Sequence, residues 1–396
     1  MSANRKTTVG VVFGGRSVEH DVSIVTGHQI MRAFDYNRYD VVPLYIDRDG
    51  KWFTGVPLMD LKNYTLNLTD LMGVQEVILS PSTKDHGIII NPSAGLFSKS
   101  RTLRLDYVFP AIHGSHGEDG TLQGLFELAD IPYVGCGVVA SAIANNKIMS
   151  KVVCRQYQIP VLDGVSFTRD EWDQDDNRVL QQVIQHLGLP VFVKPATLGS
   201  SIGISKATDE KSLRSSLTMA LNFDSQVLVE VAAQDCIEIN CAVMGHGYHV
   251  RPSVLERPIS YDEFLTYEEK YLQGGGGMKG AERIIPAPIS AELTEAIQGA
   301  AVTAFQAIHG SGIARLDFLL NEKTGEFYLN EINTLPGSLS FYLWQAEGLT
   351  ARQVVEELLK IAESVNRIKR GNTYNYQTSL VELTAQRGLK GTKGKL

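Results

Sequence analysis

The chain reads as a three-domain protein of mixed α/β and α+β class, with a mainly parallel α/β unit at its N-terminal end. Three observations predict this. Its 396 residues exceed one ordinary domain, and 43% hydrophobic against 20% charged residues supply apolar side chains for more than one core. Strand, glycine turn and helix alternate through the first third, as they do over a parallel sheet. Beyond residue 190 short strands fall instead into antiparallel pairs. The expected boundaries are 1–137 for the α/β unit, 138–229 for a central subdomain, 230–378 for a C-terminal subdomain and 379–396 for a flexible tail.

The elements follow in order. Thr8 to Phe13 is a short buried strand, and after Gly14-Gly15 a helix carries Val18, Val22, Val25 and Ile30 on one side with Ser17 placed to cap it. Val41 to Ile46, Tyr107 to Ala111 and Tyr133-Val134-Gly135 continue the strands, and Leu122 to Ala129 adds a helix. After Gly137 a helix bears Lys147 and Lys151, and the polar stretch Arg169 to Arg178 is expected to be a connection. Val191 to Lys194 and Ile202 to Ser205 form a hairpin around a Gly/Ser turn. Val227 to Glu230, Glu238 to Val243, Ala314 to Leu320 and Phe327 to Ile332 read as strands of a third, mostly antiparallel unit. Thr350-x-x-Gln353 is a capping pattern that opens a last helix with Val354, Leu358, Ile361, Val365 and Ile368 on one face.

Composition excludes several function classes. The formal charge of −7 argues against a surface made to wrap nucleic acid or anionic lipid, so any bound phosphate is expected in a local pocket. No apolar run reaches the length of a bilayer span, and no export signal is visible. Four cysteines, Cys136, Cys154, Cys236 and Cys241, lack Cys-x-x-Cys spacing and are too few for a disulfide framework. The expectation is a soluble, cytoplasmic protein with reduced thiols.

Standard nucleotide motifs fail. Gly275-x-Gly277-x-x-Gly280 follows no buried strand and opens no amphipathic helix, and no P-loop sequence exists. The pairs His113/His116 and His246/His249 have metal-like spacing without a third ligand nearby. The stronger signal is Lys194 to Gly203, a lysine at a strand end followed by a turn rich in Gly and Ser. Backbone N–H groups and hydroxyls can converge there on phosphate oxygens while the ammonium balances their charge, although a plain hairpin turn fits this segment equally well. A second signal favours the phosphate reading. Arg315-Leu316-Asp317 ends one strand and Glu331-Ile332-Asn333 another, which puts Glu331 and Asn333 on one face with Asp317 across from them. Such hard oxygen donors suit Mg²⁺ that keeps water and phosphate in its other positions.

Five segments together resemble a known family. Phe13 to Glu19, His113 to Gly120, Lys194 to Ser201, Glu269-Lys270-Tyr271 and Glu331 to Gly337 are similar, in the same order, to the motifs of D-alanine–D-alanine ligases of the ATP-grasp superfamily. The likeness spans residue 8 to about 366 and implies a three-domain ATP-grasp fold with ATP held between the central and C-terminal units. It implies Lys147 and Lys194 on the ATP phosphates, Ser200 and Ser201 in the phosphate-covering loop, and Glu230, Ala232, Ala233 and Glu238 around adenine and ribose. Asp317, Glu331 and Asn333 become ligands of Mg²⁺ or Mn²⁺. Glu19 would hold the ammonium of the first amino acid, joined to Ser200 and Tyr271, with His113 close by. Arg315 and the N–H of Gly337 would stabilise the oxyanion of a tetrahedral intermediate, and Lys270 would hold the transferring phosphoryl group.

The implied activity is ATP-dependent joining of two D-alanines through an acyl phosphate, for peptidoglycan precursors, with a homodimer as the expected assembly. The alternatives are a related ATP-grasp ligase with another D-amino acid or a D-hydroxy acid as second substrate, or a non-catalytic ATP-binding regulator. The stretch Tyr261 to Gly280 reads as a lid that carries Lys270 and Tyr271 inward. The family places a serine for the second substrate's carboxylate shortly after its Pro-Gly. Here Ser338-Leu339-Ser340-Phe341-Tyr342 follows Gly337, so the position of that serine is displaced or filled by Tyr342; Ser338 or Ser340 could supply the hydroxyl, or a different second substrate could be used.

Overall fold

The computed structural model describes residues 5–90, 100–199, 202–259, 283–374 and 378–387. Three sheets carry the architecture. The first has seven strands, β1 (Thr7–Gly14), β2 (Tyr39–Ile46), β3 (Trp52–Thr54), β4 (Gln75–Leu79), β5 (Gly87–Ile90), β6 (Arg101–Arg104) and β7 (Tyr107–Pro110), in the order β6-β5-β4-β3-β2-β1-β7. β1 runs parallel to both neighbours, and Val9, Val11, Val12 and Phe13 along it are wholly buried, as a central strand covered on both faces requires. The remaining pairings, from β2 through β6, are antiparallel, so the sheet is parallel only at its centre. The β2–β3 and β4–β5 connections are too short for a helical crossover, and the longer β3–β4 connection holds only short 3₁₀ turns.

Helix α1 (His20–Ala33) follows β1 and α2 (Thr121–Leu128) follows β7. The first helix starts later than Val18, which is 57% exposed, and the Ser17 hydroxyl accepts the N–H of Glu19 instead of capping a turn from Val18.

Helices α3 (Val138–Asn145) and α4 (Lys147–Gln156) come next. Although they fall in the central segment by sequence, Ala140, Ala144 and Cys154 pack into the core of the third sheet. The central body proper contains β8 (Gly164–Thr168), β9 (Val191–Pro195), β10 (Ser205–Ala207) and β11 (Gln226–Val231) in the antiparallel order β10-β9-β11-β8. Two expectations change here. Residues 169–178 are not a connection but α5 (Arg169–Gln174) and the start of α6 (Asp176–Leu187). Reciprocal capping by Thr168 and Glu171 starts the first helix, and the Asp175 side chain caps the second. The strand around Val227 belongs to this sheet, between β9 and β8, not to the third. With α7 (Glu210–Phe223), these helices bury Val179, Val183, Leu213 and Leu217 against Val191, Val193, Val227 and Val229. Period two then turns Lys194 and Glu230 to the opposite face.

The third sheet is β12 (Cys236–His246), β13 (His249–Pro258), β14 (Arg283–Ile284), β15 (Ser311–Asn321) and β16 (Phe327–Asn333), ordered β14-β13-β12-β15-β16. Helix α8 (Ala291–Ala307) packs on one face. The short α9 (Phe341–Ala346) and the long α10 (Ala351–Lys369) close the other, and α10 opens with the expected Thr350/Gln353 capping box. Its apolar stripe ends before Ile368, which is exposed. The expected flexible tail contains a helix, α11 (Leu380–Arg387), while residues 388–396 lie outside the described residues.

Candidate active site

Neighbouring strands bring the acidic residues together. In register, Asp317 on β15 faces Glu331 on β16 and Arg315 faces Asn333, with a bulge just after Asp317. Asn333 Nδ2 donates to Asp317 Oδ2 at 3.0 Å and lies 3.5 Å from Glu331 Oε1. Arg315 forks onto the nearly buried Asp317 through two bonds of 2.7 Å. Burial opposes its charge, but the Asp317 carboxylate outweighs this and drives the guanidinium pKa up. Two carboxylates and an amide therefore converge on one patch; their oxygens are of the donor type a hard divalent cation takes, while here both Asp317 oxygens accept from Arg315 and Asn333 presents its Nδ2.

Lysines meet this patch from the other side. The Asn146 side chain accepts the N–H groups of Ile148 and Met149 and so starts α4 with Lys147 as its first residue. Lys147 Nζ donates to the carbonyl of Leu198 at 2.6 Å, tying the helix to the Gly/Ser turn. One turn on, Lys151 Nζ lies 2.5 Å from Glu230, whose other oxygen is 2.7 Å from Lys194 Nζ. Lys194 also donates to Asn330 Oδ1 at 3.0 Å, bridging the central sheet to β16. Burial alone would raise the pKa of Glu230, but the two ammonium groups pull it down to about 2. Burial lowers the pKa of Lys147 and Lys151, with Glu331 the main opposing charge on Lys147 and Glu230 on Lys151. Lys147, Thr197, Leu198, Gly199, Glu331 and Asn333 line a narrow space of about 40 Å³ between the two bodies.

Glu19 lies at the far end of the cleft and is 6% exposed. A Cβ on Gly114 would stand 2.7 Å from its Oε2, and one on Gly199 would stand 3.4 Å away, so the His113 turn and the Gly/Ser loop both approach this carboxylate. His113 is buried, its Nε2 2.8 Å from the Thr26 hydroxyl and its Nδ1 3.8 Å from Glu118. Burial would lower its pKa, but Glu118 and Glu19 raise it. His116 Nδ1 lies 3.3 Å from the Arg16 carbonyl and His246 bonds Ser364, and neither histidine pair forms a metal site among the described residues.

After Gly337 the chain turns sharply, with φ of +48°, +50° and +48° at Ser338, Leu339 and Ser340. Three left-handed side-chain-bearing residues in succession are strained. Ser338 donates to Gln29 of α1, and the hydroxyl of Ser340 is fully buried without a hydrogen-bond partner among the described residues. Tyr342 donates to Glu256 at 2.6 Å, and Arg283 stacks 4.2 Å over the Tyr342 ring while pairing with the same carboxylate.

Along the segment expected to frame adenine, the N–H of Ala232 donates to the Pro190 carbonyl at 3.1 Å, Ala233 is half-buried and Glu238 sits on β12 opposite Leu319. Ser200, Ser201, Lys270, Tyr271 and the Gly275 to Gly280 segment lie outside the described residues. Sequence reasoning gave no role to Lys151, Glu118, Asn330 or Glu256. The one available signal was the spacing of four between Lys147 and Lys151, which puts both on one helix face.

Comparison with known proteins agrees along the chain. The family description "D-ala D-ala ligase N-terminus" matches residues 8–136 and "D-ala D-ala ligase C-terminus" matches residues 153–360. A D-alanine–D-alanine ligase of Thermosipho africanus is 38% identical over 379 residues, covering 96% of this chain and 99% of the relative. One from Acetivibrio thermocellus is 38% identical over 372 residues, with 90% and 96% covered. Among solved structures, the VanG D-Ala:D-Ser ligase of Enterococcus faecalis superposes with a TM-score of 0.78 at 30% identity, covering 90% of this chain and all of that one. The D-alanine–D-alanine ligase of Coxiella burnetii gives 0.77 at 26% identity, with 96% and 99% covered. Among the described residues no helix is long and apolar enough to cross a membrane. The motifs, the three sheets and the end-to-end matches agree, and the chain belongs to the D-alanine–D-alanine ligase family.

Proposed function

We propose that this protein joins two molecules of D-alanine at the expense of ATP, giving D-alanyl-D-alanine, ADP and phosphate for peptidoglycan precursors. The observation that carries the reading is the junction at which Lys147 shares one narrow cleft with Glu331 and Asn333, while Lys194 reaches β16 at Asn330 and Asp317 joins the patch through Asn333. A free carboxylate resists attack because its leaving group would be oxide. In the proposed reaction an oxygen of the first D-alanine attacks the γ-phosphorus of ATP, the bond to ADP breaks, and an acyl phosphate forms. The neutral amine of the second D-alanine then adds to the acyl carbon, phosphate departs, and the amine proton is lost.

Lys147 and Lys194 would spread the triphosphate charge, with Ser200, Ser201 and Lys270 closing over it. Asp317, Glu331 and Asn333 would hold Mg²⁺ or Mn²⁺, which when bound offsets charge that builds on the transferring phosphoryl group. Glu19, next to Gly114 and Gly199, would anchor the first ammonium with Ser200 and Tyr271, and His113 with Glu118 would brace that end of the cleft. Arg315 and the N–H of Gly337 would receive the oxyanion, and Ser338 or Ser340 the second carboxylate. Glu230 would fix the two lysines from behind, with Ala232, Ala233 and Glu238 beside the nucleoside. A cavity of about 40 Å³ is far below nucleotide size, so loading would require the 197–199 turn to swing away from β16. A cytoplasmic homodimer completes the proposal.

The test is phosphate release from ATP and Mg²⁺ with D-alanine, with the dipeptide identified by mass. No turnover with D-alanine, combined with turnover on D-serine or a D-hydroxy acid as second substrate, would overturn the assignment. Glu331→Gln should lower kcat by at least about a hundredfold, as loss of a group acting on transition-state charge does, and excess metal should recover part of it.

A further inference from the structure

A second charged basin lies well apart from the cleft. Where the edge of the first sheet meets the last turns of α10, an open cavity of about 690 Å³ is lined by Arg5, Lys6, Arg104, Arg367 and Arg370, with only Asp106 and Glu363 as carboxylates. Five cations against two anions leave an excess of three positive charges, in a chain whose net charge is −7. Some of this charge is accounted for locally. Arg5 forks onto Asp106 at 2.7 and 2.8 Å, and Lys6 donates to the Tyr36 carbonyl at 2.7 Å and lies 3.8 Å from Asp40. Arg367 reaches Ser364 at 3.5 Å. Arg104 and Arg370 have no ion pair among the described residues.

Between these two arginines sits His86. The residue is 5% exposed, yet it lines the cavity, and its side chain makes no hydrogen bond among the described residues. The backbone holds it there in a left-handed conformation, φ +47°, through its N–H to the Ser82 carbonyl and its carbonyl to the Leu105 N–H. Burial lowers the imidazole pKa, and Arg104 and Arg370 add to that effect while Asp130 and Asp106 oppose it. Basic residues at the end of α10 alone would be ordinary complements to its carbonyl terminus. Arg104 comes from β6, however, and the buried imidazole from the turn before β5, so the cluster is assembled from separate parts of the fold. Planar guanidinium groups around a nitrogen that can accept a proton match a tetrahedral oxyanion, whereas a metal cation would be repelled.

We propose that His86, Arg104, Arg367 and Arg370 form an oxyanion site for a phosphate-bearing small molecule, linking the edge of the first sheet to α10. Inorganic phosphate is the probe. In the full chain carrying carbon-13-labelled histidine, with the cleft filled by a non-hydrolysable ATP analogue, the His86 resonance should move saturably with phosphate, and its titration midpoint should rise. His86→Gln identifies the signal. Arg104→Ala/Arg370→Ala should weaken the response by at least about tenfold while leaving turnover of ATP unchanged, and the Lys double variant should fall between. A His86 signal indifferent to phosphate overturns the proposal, as does an unchanged response in the Ala double variant.

Discussion

A carboxylate with no solvent exposure would ordinarily keep its proton, yet Glu230 is held near 2 because Lys194 and Lys151 grip both its oxygens. Removing one member of such a set leaves buried charge unpaired. Glu230→Gln should therefore cost about 3–5 kcal/mol, read as a lower urea midpoint at unchanged slope. The sign with pH follows from the lowered folded value. The contribution is complete above the ordinary glutamate pKa of 4.5 and is lost as pH falls toward 2, so the variant's stability should vary less with pH over that window. Gly114 invites a second substitution. Its φ of +74° disfavours a side chain, and an added methyl would press on the Glu19 carboxylate and the Ser17 hydroxyl. Gly114→Ala should raise KM for the first D-alanine more than for ATP, and an equal rise in both would count against Glu19 as its anchor. Lys194 and the acids of β15 and β16 were legible as residue types at strand ends, and Lys147, on a helix, only through the family resemblance. That Glu230 meets two lysines was not, because a diagonal cross-strand pair and a helix docking behind it are tertiary facts.

The same division between local and tertiary signals runs through the elements. α10 was readable because its Thr350 box and apolar stripe are written within one stretch of chain. Residues 169–178 looked like a linker since they are almost wholly polar, but Thr168 and Glu171 form a capping box and the helix packs only a narrow apolar edge. Strand β11 was placed in the wrong sheet because alternation fixes which face a residue takes, not which neighbour it pairs with. The short strands β3 to β6 lack a strong period and went unassigned. At this scale α4 carries a clear test, since its start sets where Lys147 and Lys151 point. The Asn146 side chain satisfies two of its unpaired N–H groups, so Asn146→Ala should cost about 1 kcal/mol. It should also raise KM for ATP, and Asn146→Asp should restore both, whereas loss of stability with an unchanged KM would show that the cap does not position the lysines.

Across the whole molecule, the three sheets do not have three independent cores. Val9, Phe13 and Ile30 of the N-terminal unit share one apolar cluster with Met244, Ile313, Trp344, Val354 and Leu358 of the C-terminal unit. A second cluster fastens α3 and α4 onto the third sheet. The first sheet has a private cluster on its other face, from Val12 to Tyr133, but it also shares the cluster above, whereas the buried core of the central sheet is drawn only from residues 167–229 among the described residues. Shared apolar cores cannot slide without exposing buried surface, so the outer units form one frame and the central sheet is the body free to rock against it. Its ties across the cleft among the described residues are polar, above all Lys151 to Glu230, Lys194 to Asn330 and Lys147 to the Leu198 carbonyl. Hydrogen exchange followed by mass spectrometry should then show peptides of β9 and the 197–199 turn opening more readily than β1 or β15. A non-hydrolysable ATP analogue with Mg²⁺ should slow exchange at β9 and at the start of α4 by about tenfold or more, while β1 stays unchanged. Equal exchange in β9 and β1, with no response to the analogue at either, would mean that the cleft does not open by movement of the central sheet and that nucleotide must enter by another route.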